Sequence, residues 1–320
     1  MDKATHAPAP LARGFGWIML AILAGFIFNV VLTYWFGFPG ALSDLSNPLA
    51  LLQLALYGGA IALAIIYVGR SRGQSLRADA MRISDFNRFL VRAAFFVVLF
   101  VGIGDAILSF LRVQNLLDGV VGPDLSGNLG RASFRGLYFH APLIVLGILV
   151  AALTRGLGFI WLSLLVVIAE LAIVFSRFVF SYEQAFLADL VRFWYGALFL
   201  FASAYTLLED GHVRVDLLYA SMRRETKGRV NSVGAVVLGM VLCWTILLIG
   251  FDTASSVIVG PILVYEVTQA GFGMYVKYFM AGFLAVFAIT MLIQFVAQFF
   301  DGVADARGEP GGRDAHAGNM

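Results

Sequence analysis

The feature that most constrains the fold is a series of eight long apolar stretches. They run roughly over residues 15–36, 49–68, 90–111, 137–153, 158–180, 187–208, 231–251 and 273–299. A helix rises about 1.5 Å per residue, so about 20 apolar residues cross the ~30 Å hydrocarbon layer of a bilayer. Barrel strands would instead give alternating segments of about 10 residues. The sequence therefore predicts an all-α, polytopic membrane helix bundle with about eight transmembrane helices.

The composition agrees with a chain whose solvent is mostly lipid. Hydrophobic residues make up 60% of the 320 residues and charged residues only 13%, whereas soluble proteins carry about 25% charged residues. The stretch 15–36 is longer than the apolar core of a signal peptide, which predicts a first membrane helix. The net charge of +2 is too small to indicate a nucleic-acid partner, and the single cysteine excludes a disulfide framework.

The positions of the basic residues predict the topology. Of the 22 lysines and arginines, sixteen fall in the two tails and in the loops after the second, fourth and sixth stretches. The other six lie on the opposite side: Arg112, Arg131, Arg135, Arg177, Arg192 and Lys277. Because basic loops stay in the cytoplasm, both termini are predicted to be cytoplasmic.

The chain is predicted to have three parts. Residues 1–155 hold about four transmembrane helices, residues 156–302 hold four more, and residues 303–320 form a cytoplasmic tail. The ends, 1–12 and 302–320, are polar and rich in Pro, Gly and Ala, so they are predicted to be disordered. The glycine-rich segment 113–135 is predicted to be a periplasmic loop.

Two acidic residues fall inside apolar stretches. Asp105 lies in the third and Glu170 near the middle of the fifth, where an ionised carboxylate is costly. Each is either a proton or cation site, or a structural acid that hydrogen-bonds to a neighbouring helix or a partner subunit. No basic residue is predicted at the same depth, which favours a neutral acid or a partner outside this chain.

Other charged residues lie near the predicted helix ends. Arg177 is two helical turns beyond Glu170 and can reach the periplasmic interface. Asp189 and Arg192 are three residues apart, so they share a helix face. They form either a local ion pair or a contact with another subunit. Lys277 is interpreted as an interfacial anchor.

The sequence contains no recognisable catalytic, metal-binding or phosphate-binding motif. His140 is predicted near the periplasmic end of the fourth helix and His212 beyond the cytoplasmic end of the sixth. They lie on opposite sides of the membrane, so they cannot share a metal or haem. No zinc-protease, nucleophile-elbow or phosphate-loop motif is present. We therefore predict no catalytic residue, no metal site and no cofactor.

The loop 209–230 is the most distinctive segment outside the apolar stretches. Its apolar and basic residues suit a short helix lying on the inner membrane surface among phospholipid headgroups, and a solvated loop is the alternative. The residues concerned are Leu217, Leu218, Met222, Arg223, Arg224 and Lys227.

Several segments resemble the small, DctQ-like membrane subunit of tripartite ATP-independent periplasmic (TRAP) transporters. They are Arg177-Phe178-Val179-Phe180, then Asp189-Leu190 with Arg192, then Ala202-Ser203-Ala204-Tyr205, and then Gly211-His212-Val213-Arg214-Val215-Asp216. Lys277, followed by Gly282-Phe283, is similar to the closing helix of the family. The resemblance covers residues 158–301, with Asp189 in place of the commoner glutamate and Met280-Ala281 in place of the usual proline.

The resemblance implies a function and partners. A periplasmic binding protein captures an organic anion, and a large, DctM-like membrane subunit moves it inward, driven by a sodium gradient. The small subunit is a fixed scaffold in the bacterial inner membrane. The candidate residues for subunit contacts or structural roles are Arg177, Asp189, Arg192, His212, Arg214, Asp216 and Lys277. The first four helices are an extension outside the usual short form of the subunit.

Two other hypotheses are open. The chain could be a self-sufficient secondary transporter that uses Asp105 and Glu170 as ion sites. It could also be a membrane enzyme or redox subunit, against which the absence of histidine pairs argues.

Overall fold

A computed structural model of the protein describes residues 8–156, 159–179, 181, 184–209, 219–268 and 273–311. Within these ranges there is no β-strand, and eight helices are long and apolar enough to cross a membrane. They are α1 (Pro10–Phe36), α2 (Pro48–Arg70), α3 (Leu76–Val113), α4 (Ala132–Leu153), α5 (Phe159–Val179), α6 (Ala185–Leu208), α7 (Arg224–Gly250) and α8 (Lys277–Ala306). The prediction of an all-α bundle with eight spans is confirmed, and the orientation of the termini stays a prediction.

Local sequence signals set several helix ends. Proline stands at the first position of α1 and of α2, where a missing N–H costs nothing. The Asn47 side chain caps α2 by accepting a hydrogen bond from the N–H of Leu49, at 2.9 Å. After α1 the chain turns at Gly37, which has φ 71°, a left-handed conformation that favours glycine.

Some helices extend well beyond their apolar cores. The 38-residue α3 begins at Leu76 rather than near residue 90. Residues 10–12 and 302–306, which were predicted to be disordered, are helical. Hydropathy marks only the part of a helix that lies in hydrocarbon, so it misses polar turns that continue the same helix into the headgroups or water.

The predicted loop 113–135 is largely helical as well. It holds two short helices, Leu117–Val121 and Pro123–Leu129, and then the first turn of α4. A π-helical turn follows at Gly136–His140, and α7 contains a second one at Ala235–Met240. Such turns within α-helices are frequent at functional sites.

The chain divides into two compact units, and each combines residues from both halves of the sequence. One unit comprises Met1–Asn87, Gly211–Thr245 and Met291–Met320, and the other comprises Arg88–Asp210 and Ile246–Thr290. The division of the sequence at residues 155 and 302 stays a prediction.

In the first unit, buried polar contacts join helices of the extension. The Arg13 Nε lies 2.6 Å from Asp79 Oδ2, and the Trp17 indole N–H donates to the same oxygen at 3.1 Å. Between α1 and α2, the fully buried Gln53 amide donates to Thr33 Oγ1 at 3.0 Å. Every such contact satisfies a polar group that would otherwise be costly in an apolar bundle.

The end of α8 is also held in the first unit. Arg77 and Arg224 both donate to Asp305 Oδ1, at 2.7 and 2.8 Å. They also donate to the carbonyl of Glu309. These contacts attach residues just beyond the apolar part of α8 to the starts of α3 and α7.

Candidate functional site

The second unit contains a short segment, Gly273–Val276, that is held by charged side chains just before α8. The N–H of Met274 donates to Asp189 Oδ2 at 3.1 Å, and the N–H of Tyr275 donates to Asp105 Oδ2 at 2.9 Å. On the other side of the segment, Arg112 donates to the carbonyl of Gly273 at 2.8 Å. Since Asp105 lies in α3 and Asp189 in α6, this pre-α8 segment joins the two halves of the sequence.

Asp105 is the centre of a buried charge network. Its Oδ1 lies 2.5 Å from Nε of Arg135, and both side chains are fully buried. Arg135 also donates to Ser109 Oγ at 2.9 Å and to the Asp105 carbonyl at 3.1 Å. The expectation that Asp105 has no basic partner in this chain was therefore wrong. Arg135 was assigned to a loop, whereas it lies in the first turn of α4 and is directed into the bundle.

His140 extends this network to α8. Its Nε2 lies 2.8 Å from Asp105 Oδ1, and its Nδ1 lies 2.7 Å from the hydroxyl of Tyr278. One tautomer of a neutral imidazole donates from Nε2 to Asp105 and accepts a hydrogen bond from the Tyr278 hydroxyl at Nδ1, which satisfies all three groups. The negative charge of Asp105 is then balanced by Arg135 alone.

The Tyr275 ring closes the network on one side. The guanidinium carbons of Arg112 and Arg135 lie 4.6 and 4.5 Å from its centroid, and its hydroxyl donates to the carbonyl of Gly130 at 2.9 Å. Stacking on an aromatic face stabilises a desolvated cation. Both oxygens of Asp105 are engaged inside the chain, Oδ1 by Arg135 and His140 and Oδ2 by the N–H of Tyr275. This favours a structural role for Asp105 over an open cation site.

Next to Asp189 lies a cavity of about 380 Å³ with charged side chains at its wall. Lys277 forms an ion pair with Glu266. Arg192 lies 3.6 Å from Asp189 Oδ1, but its side chain is 70% exposed, so this pair contributes little. The stronger contacts of Asp189 are with the pre-α8 segment and with Thr268 Oγ1, which donates to it at 3.3 Å.

A comparison with protein families identifies part of this bundle. Residues 164–305 match the family model for the DctQ component of tripartite ATP-independent periplasmic transporters. This part of the chain, which we call the DctQ region, is therefore similar to the DctQ component. The match covers somewhat less than half of the chain and begins inside α5, so α1–α4 precede it. No match was found among curated proteins, and none among solved structures.

DctQ proteins are transporter components and not an enzyme family. The DctQ region contributes Asp189, Tyr275 and Tyr278 to the contacts described above. The preceding extension contributes Asp105, Arg112, Arg135 and His140. The pre-α8 segment of the DctQ region is thus bound by side chains of the extension as well as by its own.

The other predicted residues are dispersed. Glu170 is exposed in the middle of α5, and Arg177 is exposed in the last turn of that helix. His212, Arg214 and Asp216 lie outside the described residues, as do Leu217 and Leu218. Arg224 and Lys227 belong to the first turn of α7. The part of the predicted surface helix that carries them is therefore the start of a spanning helix. Among the described residues, no group of three or more His, Cys, Asp or Glu side chains could hold a metal ion.

The sequence did not predict the residues that surround the carboxylate of Asp105. Arg135 lies in a segment of loop-like composition. His140, Tyr275 and Tyr278 lie near the ends of apolar stretches, where they resemble ordinary interfacial aromatics. The available signal was the cost of an intramembrane carboxylate, which requires a partner. That cost does not say which residue the partner is.

Replacing Asp189 by alanine is expected to destabilise the protein by about 1–3 kcal/mol, because the N–H of Met274 loses its acceptor while buried. Replacing Arg192 by alanine is the matched control, with an expected change within about 0.5 kcal/mol, because its side chain is mostly exposed. Thermal unfolding in detergent measures both. Equal losses for the two variants would contradict the assignment of Asp189 to the pre-α8 segment.

Proposed function

We propose that this chain is the small membrane subunit of a TRAP transporter in the bacterial inner membrane. It is a scaffold for a large, DctM-like membrane subunit. That subunit takes up an organic acid, delivered by a periplasmic binding protein, and the uptake is driven by sodium ions moving down their gradient. The observation that carries the proposal is the DctQ match over residues 164–305.

The geometry of the charged residues supports a scaffold. A transport site needs polar atoms that are free to bind the solute or ion, whereas Asp105 is engaged by Arg135, His140 and a backbone N–H. A buried ion pair with additional hydrogen bonds fixes one arrangement of helices. This engagement argues against the alternative of a self-sufficient transporter that uses Asp105 and Glu170.

The extension, residues 1–155, takes a bracing role in this proposal. In the second unit its Asp105 and Arg112 hydrogen-bond to backbone groups of the segment that leads into α8, and the buried Arg135 fixes Asp105 in place. If the start of α8 is rigid, the large subunit has a fixed surface to pack against while parts of the large subunit move during transport.

Affinity purification of this chain from membranes of its native host is expected to recover a large polytopic membrane subunit. The control is a tagged, unrelated membrane protein expressed at the same level. Purification that repeatedly recovers no large membrane subunit under mild detergent would overturn the proposal. In proteoliposomes, uptake of an organic acid is expected only when this chain, the large subunit and the binding protein are all present with a sodium gradient. Gradient-driven uptake by this chain alone would favour the self-sufficient transporter instead.

A further inference from the structure

Glu170 lies at the middle of the apolar span α5, and it makes no hydrogen bond or ion pair in the described part of the chain. The spanning part of α5 is Ile160–Val179, so Glu170 is about ten residues, or ~15 Å, from either end. Its side chain is exposed, and no hydrogen bond or ion pair joins it to a described residue. Acyl chains cannot satisfy a carboxyl group at this depth, so such a group marks a functional contact.

The exposure of α5 does not by itself indicate a protein partner, because lipid can cover an exposed apolar helix. Only 11% of its most apolar stretch is buried, and the next lowest value among the eight described spans is 17%, for α2. The exposed side chains of α2 within hydrocarbon are apolar, as at Leu63 and Ile65. Lipid is a sufficient solvent for α2, whereas α5 has a carboxyl group that lipid cannot solvate.

Glu170 belongs to a regular seam along α5. Five residues follow one another at spacings of four and three, the pattern that keeps a stripe facing a second helix. They are Ser163, Val167, Glu170, Val174 and Arg177. The buried residues Leu162 and Ala169 belong to a neighbouring stripe of α5, displaced from the seam by one residue. One residue corresponds to a rotation of about 100° around the helix. The seam is therefore beside the packed face and not part of it.

The residue types of this seam suit a helix–helix contact. The valines are compact for apolar residues and let a second helix approach, and the Glu170 carboxyl group can hydrogen-bond across to it. The other exposed stripe of α5 is made of large apolar side chains, which suit lipid: Leu164, Leu171, Phe175 and Phe178. One helix thus presents a polar seam and a lipid face on different sides.

We infer that the α5 seam is the surface against which a transmembrane helix of the large subunit packs, with a hydrogen-bond donor at mid-membrane opposite Glu170. This inference rests on the proposed function, since that function supplies the partner. It adds which face of the chain the partner occupies and what chemistry the partner presents there. Lipid alone and a second copy of this chain are the competing occupants that the experiment separates.

The test uses the complete transporter in native membranes. A photoactivatable phenylalanine analogue replaces Val167 or Val174 in the seam, and controls replace Ile168 on the lipid face of α5 and Leu63 on α2. Illumination is expected to cross-link the large subunit from both seam positions and from neither control. Equal yields at all four positions, products only at the controls, or a product with a second copy would overturn the inference. Copurification of the large subunit without any seam cross-link would overturn it too, while leaving the proposed function intact.

Variants of Glu170 test the carboxyl group itself. Glu170→Leu is expected to lower the large subunit retained after solubilisation by roughly 3- to 20-fold, the range of interhelical hydrogen bonds in membranes. Glu170→Gln keeps hydrogen-bonding capacity, so it is expected to retain more large subunit than the leucine variant. Because Glu170 is exposed in this chain, neither variant is expected to alter its thermal unfolding when it is purified alone. Full retention by the leucine variant would overturn the inference, and failure to recover the large subunit even with the unmodified chain would overturn the proposed function as well.

Discussion

Replacing Asp105 by alanine is expected to destabilise the protein by about 3–5 kcal/mol, the cost of removing one partner of a buried ion pair. Arg135 would remain fully buried without its counter-charge. The N–H of Tyr275 and the Nε2 of His140 would lose their acceptor in the same step. Thermal or denaturant unfolding in detergent measures the loss.

Three further variants make this result specific. Asp105→Asn keeps a hydrogen-bonding group without the charge, so its loss is expected to be smaller. In the double variant Asp105→Leu with Arg135→Met, both charges are replaced by apolar groups, which should recover much of the stability. Glu170→Ala is the matched control, because this second intramembrane acid is exposed and makes no hydrogen bond or ion pair with a described residue. A loss for Glu170→Ala equal to that for Asp105→Ala would contradict a special structural role for Asp105.

The comparison of sequence and structure shows where apolar patterning is sufficient. Eight spans could be predicted because each needs about 20 apolar residues, and that requirement leaves a continuous signal. The helix ends could not be predicted, because α3 continues through a polar, arginine-rich segment back to Leu76. Helical hydrogen bonding within a segment does not require apolar side chains once the segment has left the hydrocarbon.

The buried network could be predicted only in part. The sequence placed Asp105 inside a span, and physical chemistry required a partner for it. Arg135 was counted among loop residues, since the preceding residues have the composition of a loop. Finding it would have required knowing that α4 begins at Ala132, inside the bundle. Similarly, the spacing of Asp189 and Arg192 predicted a local pair, whereas the closer contacts of Asp189 are with a segment about 80 residues away in sequence. Long-range contacts of this kind depend on tertiary structure and leave no local pattern.

The helices α7 and α8, which the DctQ match covers, approach each other closely at two glycines, Gly228 and Gly302. A methyl group on Gly228 would lie 2.6 Å from the carbonyl oxygen of Gly302, and one on Gly302 would lie 2.9 Å from the carbonyl oxygen of Gly228. Both obstacles are backbone atoms, which cannot move aside as a side chain can. Small residues at such crossings allow close packing of membrane helices without a hydrophobic driving force.

Gly228→Leu is therefore expected to destabilise the protein by about 3 kcal/mol, the upper end of the usual cost of overpacking. Gly234→Ala is the control in the same helix, because nothing lies within 4 Å of the added methyl group. Alanine there is expected to be neutral or to stabilise by up to about 1 kcal/mol, since it is the better helix former. Thermal unfolding and size-exclusion profiles in detergent measure both variants. If leucine at position 228 is tolerated as well as alanine at position 234, the close contact of α7 and α8 does not hold these helices together. The stability of the DctQ region must then come from its polar contacts.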